Sequence, residues 1–522
     1  MKPLFQPIAI ALCILPGLVA CTSSTDDVQE LDPGTVTSLT ATVDPENHCA
    51  VLLNVQVHEG VPLHVEHTLS DGSTARQTPE WSSQDGIVYT GRVVGLYADT
   101  AYTLSVVTAE ESAPETAVTD TDIAVTTLPL PADLPPVSLE QIDTTRAKEG
   151  LTVFPINLFD PTIQLDWGYL VAVDQTGNIV WYQSMGVLGF AFNITDDGKL
   201  LTSLAAGAAV EVEPISGTLR VWDAADSLLD TVHHEVLAIE EDGLALLSSE
   251  NRSIDGFPDG QTYNIIGDVL AEVNWDGSIR WEARLLDFIN PSEQFSEDMH
   301  STFWEMPPYD EIDAPKDWSH GNAMTWDPVR LEWTASFRNL DLIAGFSKDP
   351  TELRWTFGPD GDFALTEGSR WFSRQHAPTW TSDGTLLVYD NGLQRADAEP
   401  EEPPFTRVVE YALDFNTLTA TEIWSFSGHT PYLAPIVGTV ERLDENHHLI
   451  TDGAIYGGNN IHEEVNVPHF SARIVELVGL ESPETVFELI VGAPEDLTQS
   501  GAAVYRAERV AWDTLLGVSF HP

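Results

Sequence analysis

Basic side chains are scarce in this sequence. Its 522 residues include 23 Lys and Arg against 82 Asp and Glu, a formal charge of −59. Gripping nucleic acid takes clustered Lys and Arg, so nucleic acid is excluded as a partner. The acidic residues are spread along the chain rather than gathered in a tail. That describes a solvated acidic surface, of the kind that suits salt, and defines no reaction. Cysteine is nearly absent, at Cys13, Cys21 and Cys49 only. Long hydrophobic runs are lacking too: the stretch Ile8 to Leu15 is too short for a comfortable transmembrane helix. What is plentiful is apolar and aromatic material, 43 % and 9 % of the chain. That is enough for a large core, and at roughly 150 residues per domain it predicts two to four domains.

Residues 1–20 read as a secretory signal, with Lys2 as its positive end and Ile8 to Leu15 as its apolar stretch. It ends Leu18-Val19-Ala20-Cys21, which resembles the lipobox of bacterial lipoproteins. That resemblance implies loss of Cys13, acylation of Cys21 and a membrane partner through the lipid. Cys49 would then stand alone, and the count excludes a disulfide within the chain. Thr22 after the Cys, by analogy with enteric lipoproteins, points to the outer membrane. The expected location is therefore the cell envelope, periplasmic or anchored to the outer membrane. Residues 21–32 are polar and read as a flexible tether.

The rest is strand-like. Over 33–128, short alternating runs such as Val51-Leu52-Leu53-Asn54-Val55 are parted by Asp, Asn, Gly and Pro turns, the spacing of a β-sandwich. Gly95 to Leu104 resembles the region before a late strand of fibronectin type III domains. No chemistry gathers here, so this part reads as a spacer or binding module. Pro129, Pro131, Pro135 and Pro136 mark residues 129–149 as a Pro-rich linker. Over 150–522 two units recur. One is a turn and a strand with an aromatic near its end, closing at Trp181 and Trp281 and more loosely at Trp222, Trp355, Trp424 and Phe487. The other is a turn and an apolar strand, as at Asp242-Gly243-Leu244 and Asp383-Gly384-Thr385. No amphipathic helix of convincing length appears in this region. The pattern predicts an all-β chain: a six-bladed β-propeller preceded by a small sandwich. A parallel β-helix or two stacked sandwiches are the alternatives.

A propeller turns one strand of each blade toward a central channel, so polar residues far apart in sequence converge there. Three sites fall at matching places, just before an apolar strand. They are His233-His234-Glu235, Asp317-Trp318-Ser319-His320-Gly321-Asn322-Ala323 and Arg374-Gln375-His376. Arg338 follows His320 by one strand and a turn.

At these residues the sequence resembles the bacterial arylsulfate sulfotransferases, periplasmic six-bladed propellers. The likeness runs over roughly 150 to 510 and includes Tyr389-Asp390-Asn391-Gly392. It implies a site of three His and one Arg in the order His233 or His234, His320, Arg338, His376. It also implies that His376 is the nucleophile that becomes transiently sulfated, and it points to Asn322 and Tyr505 near the channel as substrate-binding residues. Some members carry a disulfide near the site, which this chain cannot form. The implied partners are a phenolic sulfate donor and a phenolic acceptor, with no cofactor and no metal. The chemistry is coherent on its own terms. A neutral imidazole attacks sulfur and divides one displacement into two. Arg338 offers forked donors to the sulfuryl oxygens, and a further His moves the proton. No Walker-type phosphate loop appears, so a nucleotide sulfate donor is not indicated.

Two other readings compete. His447-His448, or His462 with Glu463-Glu464, could be drawn as metal ligands, although His447-His448 is expected to face solvent. The chain could also be a non-catalytic propeller lipoprotein, a surface binding or assembly module. A scaffold has no use for the His–His–Arg–His set, which argues against that. Neighbouring strand residues point to opposite faces, so one member of the His233-His234 pair is expected to matter, and His234 is preferred. Trp318, Trp371 and Trp380 flank these motifs and are candidates to line an aromatic pocket.

Overall fold

The computed structural model describes residues 33–522 except 74, 84, 109–117, 161–164, 206, 241, 295–298, 300–302, 305–307, 400, 457–469, 493–500 and 521–522. The signal, the tether, Cys21 and the His462-Glu463-Glu464 candidate lie outside the described residues. The helical content among them is one short α-helix, Trp512–Leu516, and three 3₁₀ turns.

The N-terminal part is a sandwich of two antiparallel sheets. One holds Val36–Val43, Val51–Val57 and Val88–Val93, the other Ala75–Gln77, Leu63–Leu69, Ala101–Thr108 and Val118–Thr126. The alternation that the sequence shows is realised literally: Val51, Leu53, Val55 and Val57 are buried and the residues between them exposed. They pack on Leu63, Val65, Leu104 and Val106 of the facing sheet.

Among the described residues six further sheets follow in chain order, each built on a four-stranded antiparallel meander, in a propeller-like fold. The first strands of five of them, Gly189–Ile194, His233–Ile239, Gly321–Asp327, His376–Trp380 and Thr439–Arg442, line up as neighbours. The first sheet takes its inner strand from the far end of the chain, where Gly501–Ala503 pairs with Leu151–Asp160. The C-terminal segment thus closes the ring and carries Tyr505 and Arg506 to its centre.

The recurring aromatic has a specific place. Trp181, Trp222, Trp281, Trp355, Trp424 and Phe487 all sit on the fourth strand of their sheets counted from the inside. Four of the indoles also reach the next sheet. Trp181 Nε1 donates to Pro214 O (3.1 Å), Trp222 to Asn274 O (3.2 Å), Trp281 to Thr351 Oγ1 (3.0 Å) and Trp424 to Leu480 O (3.2 Å). Each acceptor lies at the connection between the third and fourth strands of the following sheet. In these four repeats one residue therefore fills the gap between sheets and satisfies its own N–H there, which an indole in such a gap needs; the Trp355 N–H bonds Glu332 of its own sheet instead. The turn-then-apolar-strand unit supplies second strands, as in Gly243–Ile254 and Leu386–Asp390. One residue of that turn takes left-handed backbone, Gly384 at φ +79° in one copy and Asp242 at +56° in the other.

Two boundaries differ from expectation. Residues 129–149 are not all linker: Val137–Ile142 is the outermost strand of the last sheet, paired with Glu484–Val491. Residues 150–522 are not all propeller either. Ser519–Phe520 pairs with Ala75–Gln77 of the sandwich, and the Arg76 guanidinium lies over the rings of Trp512, Tyr97 and Phe520. The sandwich rests on the first sheet through Tyr97 Oη to Asp174 Oδ2 (2.9 Å) and the His48 N–H to Tyr182 Oη (2.9 Å). Buried Cys49 is a free thiol at this contact, and burial pushes its pKa up to about 12.

Candidate active site

The inner strands open irregularly, and that irregularity builds the site. The pairing register slips between His233 and Val236, between Gly321 and Ala323, and between His376 and Thr379. His234, His320 and Ala377 have φ of +53°, +52° and +44°. Such bulges re-aim side chains and are common beside active sites. Strand alternation therefore fails where it matters most. His233 and His234 do not point to opposite faces; their rings touch, with Nδ1 to Nδ1 at 2.9 Å.

His234 faces the cluster. Its ring centroid lies 5.0 Å from His320 and 6.0 Å from Tyr505. Burial holds its pKa well below the ordinary 6.5, reinforced by His320, His233, His376 and Arg338, all within electrostatic reach. His376 is likewise held well below 6.5, by burial first and then by Arg506 and Arg338, with a hydrogen bond to the Gly438 backbone opposing. Both rings are thus neutral at neutral pH. Nδ1 of His376 is buried and has no hydrogen-bond partner among the described residues, so a lone pair is left available on a neutral ring.

The other members are held by named contacts. His320 Nδ1 meets Asp317 Oδ2 at 2.6 Å, and Asp317 Oδ1 accepts from Trp304 Nε1 (3.1 Å). Arg338 begins the one-turn 3₁₀ helix Arg338–Leu340. Its N–H donates to His320 O (3.1 Å), tying the two residues together. Its guanidinium meets neutral oxygens, Asn339 Oδ1 at 3.0 Å and Pro435 O at 3.4 Å. Arg374 braces the same turn, donating to Asn339 O (3.0 Å) while its N–H reaches Asp341 Oδ1 (2.6 Å).

Asn322 donates to Gln375 O (2.8 Å), and its Oδ1 is buried with no partner among the described residues. The Tyr505 ring lies 4.7 Å from His376, edge to face, but its hydroxyl is committed to Asn322 O (2.6 Å). It serves the site by packing, and burial keeps the phenol protonated, its pKa raised well above 10. Beneath it, Arg506 pairs with Glu235 through two contacts (2.6 and 3.1 Å). The Tyr389-Asp390-Asn391-Gly392 motif is framework. Asp390 accepts from Ser373 N (2.9 Å), Arg395 and Arg407, and Asn391 holds Ala434 O and Val437 O. These bonds fix the segment leading into His376.

Sequence reasoning thus named His234, His320, Arg338, His376, Asn322 and Tyr505, and the fold brings them together. His233 stands behind His234 rather than in the cluster. Three expectations are corrected. Trp318 is fully buried in a core cluster and donates to Gln294 O (2.8 Å), so it lines no pocket. Trp371 and Trp380 pack against the core between the fourth and fifth sheets. His448 does not face solvent: it is buried and stacked on Trp424 at 4.4 Å. Among the described residues, no group of three or more His, Cys, Asp or Glu is placed to hold a metal ion.

The aromatic flank that does meet the histidines was missed. Phe190 stacks on His234 (5.0 Å), and Phe303 lies 4.7 Å from His320. Both are half-buried. Nothing periodic marks them, whereas Asp317, three residues before His320, was a legible signal.

No curated protein matches the chain. Among solved structures it is similar to a putative 6-phosphogluconolactonase from Bacteroides uniformis (12 % identity, 89 % of this chain and 100 % of that one, TM-score 0.29). It is also similar to the periplasmic gluconolactonase PpgL of Pseudomonas aeruginosa (12 %, 86 % and 100 %, TM-score 0.29). A third is PhoX of Pseudomonas fluorescens in complex with vanadate (8 %, 88 % and 88 %, TM-score 0.31). These likenesses are too distant to carry a functional argument. Residues 145–494, by contrast, match the arylsulfotransferase (ASST) family, and the chain belongs to that family of sulfotransferases.

Proposed function

We propose that the protein moves a sulfuryl group from a phenolic sulfate ester to a phenolic acceptor through a sulfated His376, without a nucleotide donor. The observation that supports this best is His376 itself: a buried, neutral imidazole with an unpartnered Nδ1 beside Arg338 and an Asp-backed His320. In the first step the imidazole nitrogen forms a bond to sulfur while the sulfur–aryloxy oxygen bond breaks, and the aryloxide leaves with the electron pair. Arg338 meets two peripheral oxygens with its planar fork of donors. His320, its Nδ1–H held by Asp317, moves the proton at Nε2: to the departing oxygen in this step, and from the incoming phenol in the next. The acceptor oxygen then bonds to sulfur, the N–S bond breaks, and its electrons return to the His376 ring. Preorganised donors of this kind are each worth on the order of 3 kcal/mol. Phe190 and Phe303 present ring faces for the aryl group.

The test is 4-nitrophenol release from 4-nitrophenyl sulfate, with phenol as acceptor, in wild type and His376→Ala. Release that rises with acceptor and is lost in the variant supports the reading. Release that persists moves the nucleophile elsewhere, and no release from either favours the binding-module alternative. We further propose a cell-envelope location through acylation of Cys21. Cys21→Ser should shift the protein from the membrane to the soluble fraction.

A further inference from the structure

His233 does not face the cluster, yet it is among the most completely hydrogen-bonded side chains near it. Its Nε2 lies 3.0 Å from Ser248 O and 3.3 Å from Asp268 Oδ1. Asp268 Oδ2 in turn accepts from Ser319 Oγ (2.5 Å) and the Gly321 N–H (2.6 Å). A carbonyl can only accept, and a carboxylate receiving two donors on its other oxygen is acting as an acceptor. The hydrogen of His233 therefore sits on Nε2. His233 already holds its hydrogen on Nε2 and so offers Nδ1 as an acceptor 2.9 Å from His234 Nδ1, and that atom of His234 carries hydrogen and donates. His234 has one hydrogen while neutral, which leaves its Nε2 without one.

We propose that Asp268 and His233 are positioning residues that lock His234 in the Nδ1–H tautomer, so that its Nε2 receives the hydroxyl of the phenolic acceptor. The proposal rests on the transfer reaction above and deepens it. A bare Nε2 cannot donate to the anionic sulfuryl oxygens, so His234 leaves those to Arg338. A hydroxyl is a donor, and a bare ring nitrogen among the aromatic faces of Phe190, Phe303 and Tyr505 is its complement. The site then discriminates phenols from aryl ethers at this atom: an acceptor without O–H leaves Nε2 unpaired. The phenol has a single hydrogen: His234 Nε2 accepts it while the acceptor binds, and as the oxygen bonds to sulfur the O–H turns to the neighbouring His320 (ring centroids 5.0 Å apart), which removes the proton. His376, Arg338 and Tyr505 are the other ionisable or charged neighbours facing His234. No covalent bond changes at His234.

Two variants and two readouts test this. His233→Phe removes the acceptor for His234 Nδ1–H while keeping a ring, and His233→Gln restores a carbonyl oxygen. Nitrogen NMR of ¹⁵N-histidine-labelled full-length protein, with His234→Gln supplying the assignment, should show Nδ1–H in wild type and His233→Gln and a switch to Nε2–H in His233→Phe. In kinetics, the 4-nitrophenol burst from 4-nitrophenyl sulfate should be unchanged in both variants. The KM for phenol should rise about tenfold in His233→Phe and by less than threefold in His233→Gln. An Nε2–H tautomer in wild type overturns the proposal. So do equal acceptor KM values in wild type and His233→Phe, or a burst lost equally in both variants. Absence of any burst in wild type overturns instead the His376 reading, while the NMR result still decides the tautomer.

Discussion

The outer strands bearing Trp181, Trp222, Trp281 and Trp424 and the inner strands opening at His233, Gly321 and His376 belong to the same kind of sheet, but different rules shape them. On the outer edge one aromatic recurs at one place, and four indole N–H groups reach the next sheet in the same way. On the inner edge the register slips, residues take left-handed backbone, and buried polar atoms such as His376 Nδ1 and Asn322 Oδ1 have no partner among the described residues. An unpaired buried polar atom costs about 1–3 kcal/mol. The inner edge therefore sacrifices stability that the regular outer edge supplies, which is how strain and reactivity come to share a place.

Breaking the inner edge should remove activity and leave the fold. His376→Ala is expected to lower transfer at least about 10³-fold, with a melting temperature equal to or above that of wild type. A lost melting transition would make His376 structural. Arg338→Ala should reduce kcat by about 10²–10³-fold, as the loss of a preorganised donor does, and a change confined to KM would contradict that role.

Breaking the outer edge should do the reverse. Trp181→Ala removes a fully buried ring and its bond to Pro214, and should cost about 3–5 kcal/mol by denaturant unfolding. The activity per folded molecule should stay close to wild type.

Two smaller effects sharpen the contrast. His376 and His234 are held well below 6.5. The acid limb of kcat should therefore fall below the ordinary imidazole value, and a limb at or above 6.5 would mean that neither ring is the essential neutral base. Away from the site, His448, stacked on the outer-strand Trp424, is lowered to about 4 by burial and then by Arg442. The unfolded chain takes up a proton there as pH drops below 6.5 while the folded chain does not, so its contribution declines from pH 6.5 toward 4. That is at most about 1.4 kcal/mol per pH unit. The slope of stability against pH in that window should be shallower in His448→Phe. Smallest is the effect of salt. With a net charge of −59, an anionic donor approaches against the field. Raising ionic strength from about 0.01 to 0.15 M shortens the screening length from about 30 to 8 Å. Then kcat/KM for an aryl sulfate should rise severalfold while the KM for a neutral phenol stays flat. A falling kcat/KM would show that the local cations dominate.

The sequence by itself determined the repeating parts. Alternation marked the sandwich strands, the recurring aromatic marked the outer strands, and His234, His320 and His376 stood at matching places because each repeat folds alike. It also fixed the charge and left Cys49 without a described disulfide partner. Tertiary structure alone decided the rest. Bulges set aside the alternation rule, so both members of His233-His234 became connected to the site. The C-terminal segment had to return to the first sheet before Tyr505 and Arg506 could lie under His376. Phe303 comes from a connection with no period, and Phe190 from an inner strand where the other repeats carry no matching aromatic. Periodicity records what every repeat must do to pack, whereas a site is made where repeats depart from one another, and those departures become neighbours only when the ring closes.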